Sequence, residues 1–215
     1  MKDNHIWKSD KETIELFVEQ FNKVNPYKFE DSLINFVIFD SFDAAGDNGE
    51  CLYRKVRDIY PNINLTFILS NTSPDWERLK KDEFNLYPFE GPDISFLMKN
   101  ATYILWSKDT SQFKYLYENR NKSVFISHGR TSRLYDCSKY YASRISKCVK
   151  YVSCTSDEEA RVVTDYSRNN VIPIVSGFPR HDFVLTKSKN DISNKIRQVL
   201  ISFHYRSGII DYNEE

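Results

Sequence analysis

The sequence lacks an excess of charge of either sign. Its 215 residues include 30 Lys and Arg against 30 Asp and Glu, and the formal net charge at pH 7 is zero. A general nucleic-acid-binding protein needs a basic excess to neutralise phosphates, so this balance argues against nucleic acid as the partner. A local basic patch is still compatible with a net charge of zero.

Long apolar segments and cysteine pairs are also missing. No window approaches 18 consecutive apolar residues, which argues against a transmembrane helix. The first ten residues are polar, so we expect no signal peptide. The sequence has no Cys-x-x-Cys pair, and no histidine lies at zinc-finger distance from a cysteine. These absences predict a cytoplasmic protein with reduced thiols, without a metal site or cofactor.

Several common motifs of enzymes do not occur. There is no Gly-x-Gly-x-x-Gly dinucleotide loop, no Walker A sequence and no Gly-x-Ser-x-Gly nucleophile elbow. Hydrophobic residues nevertheless make up 40% of the chain and aromatic residues 15%. This content excludes a disordered protein and is sufficient for a buried core.

Six short apolar runs recur along the chain, with helical patterns between them. Nearly continuous apolar runs of this length are typical of strands that are buried on both faces of a parallel sheet. The runs are Ile34–Phe39, Leu65–Leu69, Thr102–Trp106, Val124–Ile126, Val149–Val152 and Val171–Val175. Pro173 lies inside the last run and predicts an edge or short strand, because proline has no amide hydrogen to donate.

The intervening segments predict helices. Residues 50–59 place apolar side chains at helical spacing, and residues 111–117 follow two possible capping residues. Ser156 can cap a third helix, and Glu159 lies at the spacing of a capping box. The alternation of strands and helices predicts an α/β fold with a Rossmann-like parallel sheet and right-handed crossovers.

The two ends of the chain differ from this pattern. Lys11–Phe21 forms an amphipathic helical pattern that either packs on the domain or contacts a membrane or partner. Val199–Phe203 begins a new apolar run near the last residue. We therefore expect an N-terminal extension at 1–32, a Rossmann-like domain at 33–185, and at 186–215 a linker and the start of a further domain.

Ligands of parallel α/β sheets bind at the carboxyl ends of the strands. Asp40 and Asp43 follow the first run and are either polar site groups or turn residues. His128 follows the fourth run, and Gly129 beside it allows a close approach of ligand or backbone. The alternative for this histidine is a structural role.

Basic residues follow the fourth and the sixth run. Arg130 and Arg133 come directly after the histidine, and guanidinium groups suit phosphate oxygens bidentately. Arg180, His181 and Asp182 follow the sixth run after a glycine and a proline. Here the alternatives are a phosphate-facing arginine, a hinge between domains, or a helix start with Asp182 near its dipole.

Three stretches together resemble the CDP-glycerol glycerophosphotransferase family, the teichoic-acid and capsule polymerases of bacteria. They are Ser127–Thr131, Val152–Glu158 and Gly177–Leu185. The family has a His-Gly-Thr stretch after a strand, a Ser-rich segment that opens a helix, and a later Gly-Tyr/Phe-Pro-Arg-Asn-Asp stretch. The resemblance covers roughly residues 36–185.

Within these three stretches the chain departs from the family pattern at three positions, and His204 and Tyr205 depart from it near the C-terminal end. Ser127 replaces the usual tryptophan, Arg130 stands where threonine is usual, and His181 stands where asparagine is usual. At the C-terminal end, Val199–Arg206 resembles the first strand of the family's second domain.

The resemblance implies a two-domain transferase of the GT-B type. This N-terminal domain would hold the acceptor and the base, and a C-terminal domain would hold most of the nucleotide site. The donor would be a CDP-linked alditol, and the acceptor a polyol phosphate or saccharide, at the inner face of the cell membrane. His128 matches the catalytic histidine. The residues expected to bind phosphate or acceptor are Gly129, Arg130, Arg133, Arg180 and Asp182.

Two other functions remain open at this point. One is a GT-B glycosyltransferase that uses a nucleotide sugar, and the other is an acceptor-binding remnant without catalysis. We expect these 215 residues alone to be inactive, because a GT-B nucleotide site lies between two domains.

Overall fold

The computed structural model describes residues 34–108, 114–129, 145–168 and 170–182. The predicted extension at 1–32, its amphipathic helix and the segment 186–215 lie outside these residues. Within the described ranges, none of the helices has the length and apolar character needed to cross a membrane.

The described residues form one seven-stranded sheet in which every neighbouring pair is parallel. Its order is β3-β2-β1-β4-β5-β6-β7. The strands are β1 (Asn35–Phe39), β2 (Asn64–Leu69), β3 (Leu86–Pro88), β4 (Tyr103–Trp106), β5 (Ser123–Phe125), β6 (Tyr151–Cys154) and β7 (Ile172–Val175). The prediction of a Rossmann-like α/β fold is confirmed.

Helices connect the strands, as the crossovers of a parallel sheet require. They are α1 (Asn48–Ile59), α2 (Trp76–Lys81), α3 (Ile94–Asn100), α4 (Lys114–Glu118), the single turn α5 (Ser146–Cys148) and α6 (Asp157–Ser167), with a 3-10 turn at Arg120–Lys122. The elements β3, α2, α3 and α5 and the 3-10 turn were not predicted from the sequence.

The strands are buried on both faces, which explains their nearly continuous apolar runs. Val37 and Phe39 of β1 belong to one core cluster, while Ile38 between them belongs to the other. Trp106 is fully buried, and its indole nitrogen donates a hydrogen bond to the Ser123 hydroxyl at 2.9 Å. Without this bond, the indole N–H would be buried in the core with no hydrogen-bond acceptor.

The predicted cap of α6 is confirmed, with one change. The Ser156 hydroxyl accepts a hydrogen bond from the Glu159 amide at 3.2 Å. The Glu159 carboxylate returns to the amide of Thr155 at 2.7 Å, one residue before the position that a capping box uses. The reciprocal hydrogen bonds at the start of α6 therefore span one residue more than those of the predicted capping box.

The predicted edge position of the last strand is confirmed. β7 pairs only with β6 in the described sheet, and Pro173 faces Val152 in the register. A proline is tolerated there because an edge strand has a side without ladder hydrogen bonds.

Candidate functional site

The direction of the strand order changes between β1 and β4. The chain passes from β1 to β2 and β3 on one side, and then returns to β4 on the other. Phe39 and Trp106, the last residues of β1 and β4, are partners in the register. Ligands of open α/β sheets bind where the carboxyl ends diverge at such a switch point, so Asp40 and Ser107 mark the expected crevice.

Asp40 is completely buried at this switch point and binds the start of α1. Its carboxylate accepts hydrogen bonds from the amides of Asp47 at 2.9 Å, Gly49 at 2.6 Å and Glu50 at 3.2 Å. The Ser107 hydroxyl donates a further bond at 2.6 Å. Burial raises the pKa of the Asp40 carboxyl, although these four hydrogen bonds act to lower it.

The backbone amides at the N-terminus of α1 are therefore already bound by a carboxylate of the protein itself. Free amides at a helix N-terminus form a ready site for a phosphate, but here they are bound by Asp40. Gly49 permits this contact, since a Cβ atom there would lie 2.7 Å from the Asp40 Oδ1 and 2.8 Å from the Phe39 carbonyl oxygen. Asp40 is thus a structural capping residue rather than a simple turn residue.

His128 lies at the carboxyl end of β5, as predicted, and its side chain is exposed. Its Nδ1 is 3.3 Å from the backbone carbonyl oxygen of Ser107 at the end of β4. The preceding Ser127 adopts a left-handed conformation with φ of 50°, and its hydroxyl donates to the Gly129 carbonyl at 2.7 Å. This tight turn presents the imidazole at the carboxyl edge of the sheet.

Arg180 joins the loop after β7 to the loop after β5 and to α1. Its guanidinium contacts the Asp47 carboxylate at 2.8 Å and also donates to the His128 carbonyl. Its backbone amide donates to the Asn48 Oδ1 at 3.1 Å, and the Asn48 side-chain nitrogen donates to the Ser127 carbonyl at 2.6 Å. Three segments that are distant in sequence thus meet around the histidine.

The structure brings together three of the predicted site residues: His128, Gly129 and Arg180. Asp182 lies near them, half-buried at the end of the helical turn formed by residues 179–182. Arg130 and Arg133 lie outside the described residues.

Three contributors to this arrangement were not predicted as site residues: Asp47, Asn48 and Ser107. Asp47 and Asn48 lie just before residue 50, where the sequence indicated the start of a helix. Their polar side chains at a helix start are the sequence signal that could have identified them. The contact of Ser107 with the histidine is made by its backbone, which carries no sequence signal.

Comparisons with known proteins identify the family of the chain. Searches of curated proteins and of solved structures gave no significant match. The family profile described as CDP-Glycerol:Poly(glycerophosphate) glycerophosphotransferase matches residues 20–202. This range is most of the chain and includes every strand of the sheet, the His128 turn and the Arg180 loop. The chain therefore belongs to the CDP-glycerol:poly(glycerophosphate) glycerophosphotransferase family.

Proposed function

We propose that this chain supplies the acceptor side and the general base of a teichoic-acid or capsule polymerase. The enzyme transfers an alditol phosphate from a CDP-linked donor to a hydroxyl group of a growing polymer. The family indicates a glycerophosphotransferase-like activity. The choice of polymer and the roles of individual residues are part of the proposal.

The observation that carries the proposal is the position of His128. A general base must be reachable by substrate and held at a defined place. The imidazole is exposed at the carboxyl edge of the sheet, while the backbone on either side of it is bound by Asn48 and Arg180. The histidine thus combines solvent access with a fixed backbone.

The reaction needs one proton acceptor and several cations. The acceptor oxygen attacks the phosphorus that bears the alditol, its O–H proton passes to His128, and an O–P bond forms. The bond from that phosphorus to the bridging oxygen breaks, and CMP leaves with the electron pair. Cationic groups stabilise the charge that develops on the phosphoryl oxygens.

In this proposal the phosphate and acceptor contacts come from residues beside the base. Gly129 leaves room for a ligand, since among the described residues other than its chain neighbours no atom lies within 4 Å of the position a Cβ would take. Arg130 and Arg133 follow it in the sequence, and Arg180 and Asp182 lie in the helical turn 179–182 that comes after β7. Arg180 acts from a side chain that is 38% exposed while it is also bound to Asp47.

We further propose that a second domain in the GT-B arrangement supplies most of the nucleotide site. The chain alone then binds a glycerophosphate oligomer but releases no CMP from CDP-glycerol. Titration with the oligomer, together with an assay of CMP release, tests this division. Robust release by the 215-residue chain would show that the proposed division is wrong.

The base assignment is tested by His128→Ala in a two-domain protein that contains this chain. We expect the rate of CMP release to fall by about 10²–10⁴-fold, the usual contribution of a general base. His181→Ala is the matched control, because His181 is also exposed but stands where the family usually has asparagine. Near-normal turnover of folded His128→Ala protein would exclude the histidine as the base.

A further inference from the structure

We infer that the Ser107 carbonyl holds His128 in the tautomer that is protonated on Nδ1, so that Nε2 is the nitrogen that accepts the proton. We also infer that Asn48 is the positioning residue that keeps the histidine against Ser107. The catalytic part of this inference rests on the proposed function, whereas the tautomer is a property of the chain itself.

The first step concerns the ring. A backbone carbonyl oxygen accepts hydrogen bonds and never donates them, so the His128 Nδ1 must carry the hydrogen in its 3.3 Å contact with Ser107. A neutral imidazole has one N–H, and the lone pair is then on Nε2. Fixing one ring nitrogen in this way determines which nitrogen is available as a base.

The second step concerns the carbonyl, which is itself held firmly. Ser107 is completely buried, and its hydroxyl donates to the Asp40 carboxylate at 2.6 Å. The next amide, of Lys108, donates to the Asp40 carbonyl oxygen at 3.0 Å. The acceptor that selects the tautomer is therefore attached to the switch point of the sheet.

The third step concerns the backbone of the histidine turn. Asn48 is completely buried, and its amide uses both of its ends: the nitrogen donates to the Ser127 carbonyl at 2.6 Å, and the oxygen accepts from the Arg180 amide at 3.1 Å. Only a side chain with a donor and an acceptor can make both bonds. Aspartate keeps the shape but has no hydrogen for Ser127 when it is ionised.

The test uses ¹⁵N NMR of the histidine rings in the 215-residue chain, recorded at a pH at which the imidazoles are neutral. Long-range couplings distinguish the two tautomers, and loss of one ring signal in His128→Gln identifies His128. We expect an excess of about fivefold for the Nδ1-protonated form, as one net hydrogen bond provides. A majority of the Nε2-protonated form would overturn the inference, whatever the variants show.

The role of Asn48 is tested by Asn48→Asp, with Asn48→Ser as a milder replacement. We expect either variant to remove the excess of the Nδ1-protonated form while the backbone spectrum of the sheet stays folded. Asn64→Asp is the control, because Asn64 donates to the Asn35 side chain at 2.6 Å at the amino ends of the strands, opposite the site. An unchanged tautomer in both Asn48 variants would exclude the positioning role.

These results are independent of the proposed function. If His128→Ala retains turnover in the two-domain protein, the base assignment fails even when the tautomer is the expected one. If His128 is required but the tautomer is the other one, only the present inference fails.

Discussion

The guanidinium of Arg180 and the carboxylate of Asp47 form an ion pair with 2.8 Å between Nη1 and Oδ1. Asp47 is the N-cap of α1, and Arg180 follows the edge strand β7, so the pair closes the loops at one end of the sheet. A second guanidinium nitrogen bonds the His128 carbonyl. The planar fork of an arginine suits two acceptors that are fixed in space.

We predict that Arg180→Lys lowers the free energy of unfolding by about 1–2 kcal/mol, because an ammonium group cannot reproduce the two-point contact. Urea unfolding measures the loss. Arg161→Lys is the control, since that side chain is 72% exposed and 3.8 Å from its partner Glu158. Equal small losses in both variants would contradict a structural role for Arg180.

Gly129→Ala should leave the stability of the chain unchanged. The added Cβ meets no atom of the described residues within 4 Å apart from its chain neighbours, and Gly129 is not in the left-handed conformation. If a ligand approaches this glycine as proposed, the same change weakens binding of a glycerophosphate oligomer. Calorimetric titration and thermal unfolding separate the two effects, and unchanged affinity would remove Gly129 from the site.

For Gly49→Ala, which is the same chemical change, we predict the opposite effect on stability. The new Cβ would lie 2.7 Å from the Asp40 carboxylate and 2.8 Å from the Phe39 carbonyl, both of which are buried. Since the helix must move away from β1, we expect a loss of about 1–3 kcal/mol. Thermal unfolding beside Gly129→Ala gives a direct comparison, and equal stabilities would argue against close packing of α1 on Asp40.

The ion network of Glu50 should make stability depend on acid pH. Burial acts to raise the pKa of Glu50, but hydrogen bonds from Arg78 and Arg54 outweigh it and hold the pKa below the ordinary value of 4.5. A lowered pKa in the folded state means that the contribution is complete above pH 4.5 and disappears as the pH falls through the folded value.

We therefore expect Glu50→Gln to cost about 2 kcal/mol at pH 7 and progressively less in acid. Urea unfolding between pH 7 and pH 3 measures this convergence with the unchanged protein. Glu77→Gln, at an exposed position of α2, serves as the control and should change stability little. A constant difference across the pH range would contradict the network's role.

The sequence predicted the central strands well because burial on both faces leaves a continuous apolar pattern. Ile34–Phe39 and Thr102–Trp106 are examples, and each agrees with β1 or β4 to within one residue. β3 was missed because it has only three residues, all half-buried, and ends in Pro88. The helix α2 was missed for a related reason, since only Leu79 of its six residues is buried.

The candidate site was predictable in part. His128 follows a recognisable strand, and strand ends are where parallel sheets place their ligands. The contacts that position the histidine were not predictable. Asn48 forms hydrogen bonds with Ser127, 79 positions away in the sequence, and with Arg180, 132 positions away. Such pairings arise from the three-dimensional course of the chain, and neither local spacing nor side-chain type indicates them.

The long separation between Asn48 and Arg180 also has a consequence for synthesis on the ribosome. The 132 residues that follow Asn48, up to and including Arg180, take on the order of ten seconds to add at about 5–20 residues per second. During that interval β1 and α1 can form, while Asp47 and Asn48 still lack the partners that β7 delivers. The histidine turn thus acquires its final backbone contacts only after the last strand of the sheet has emerged.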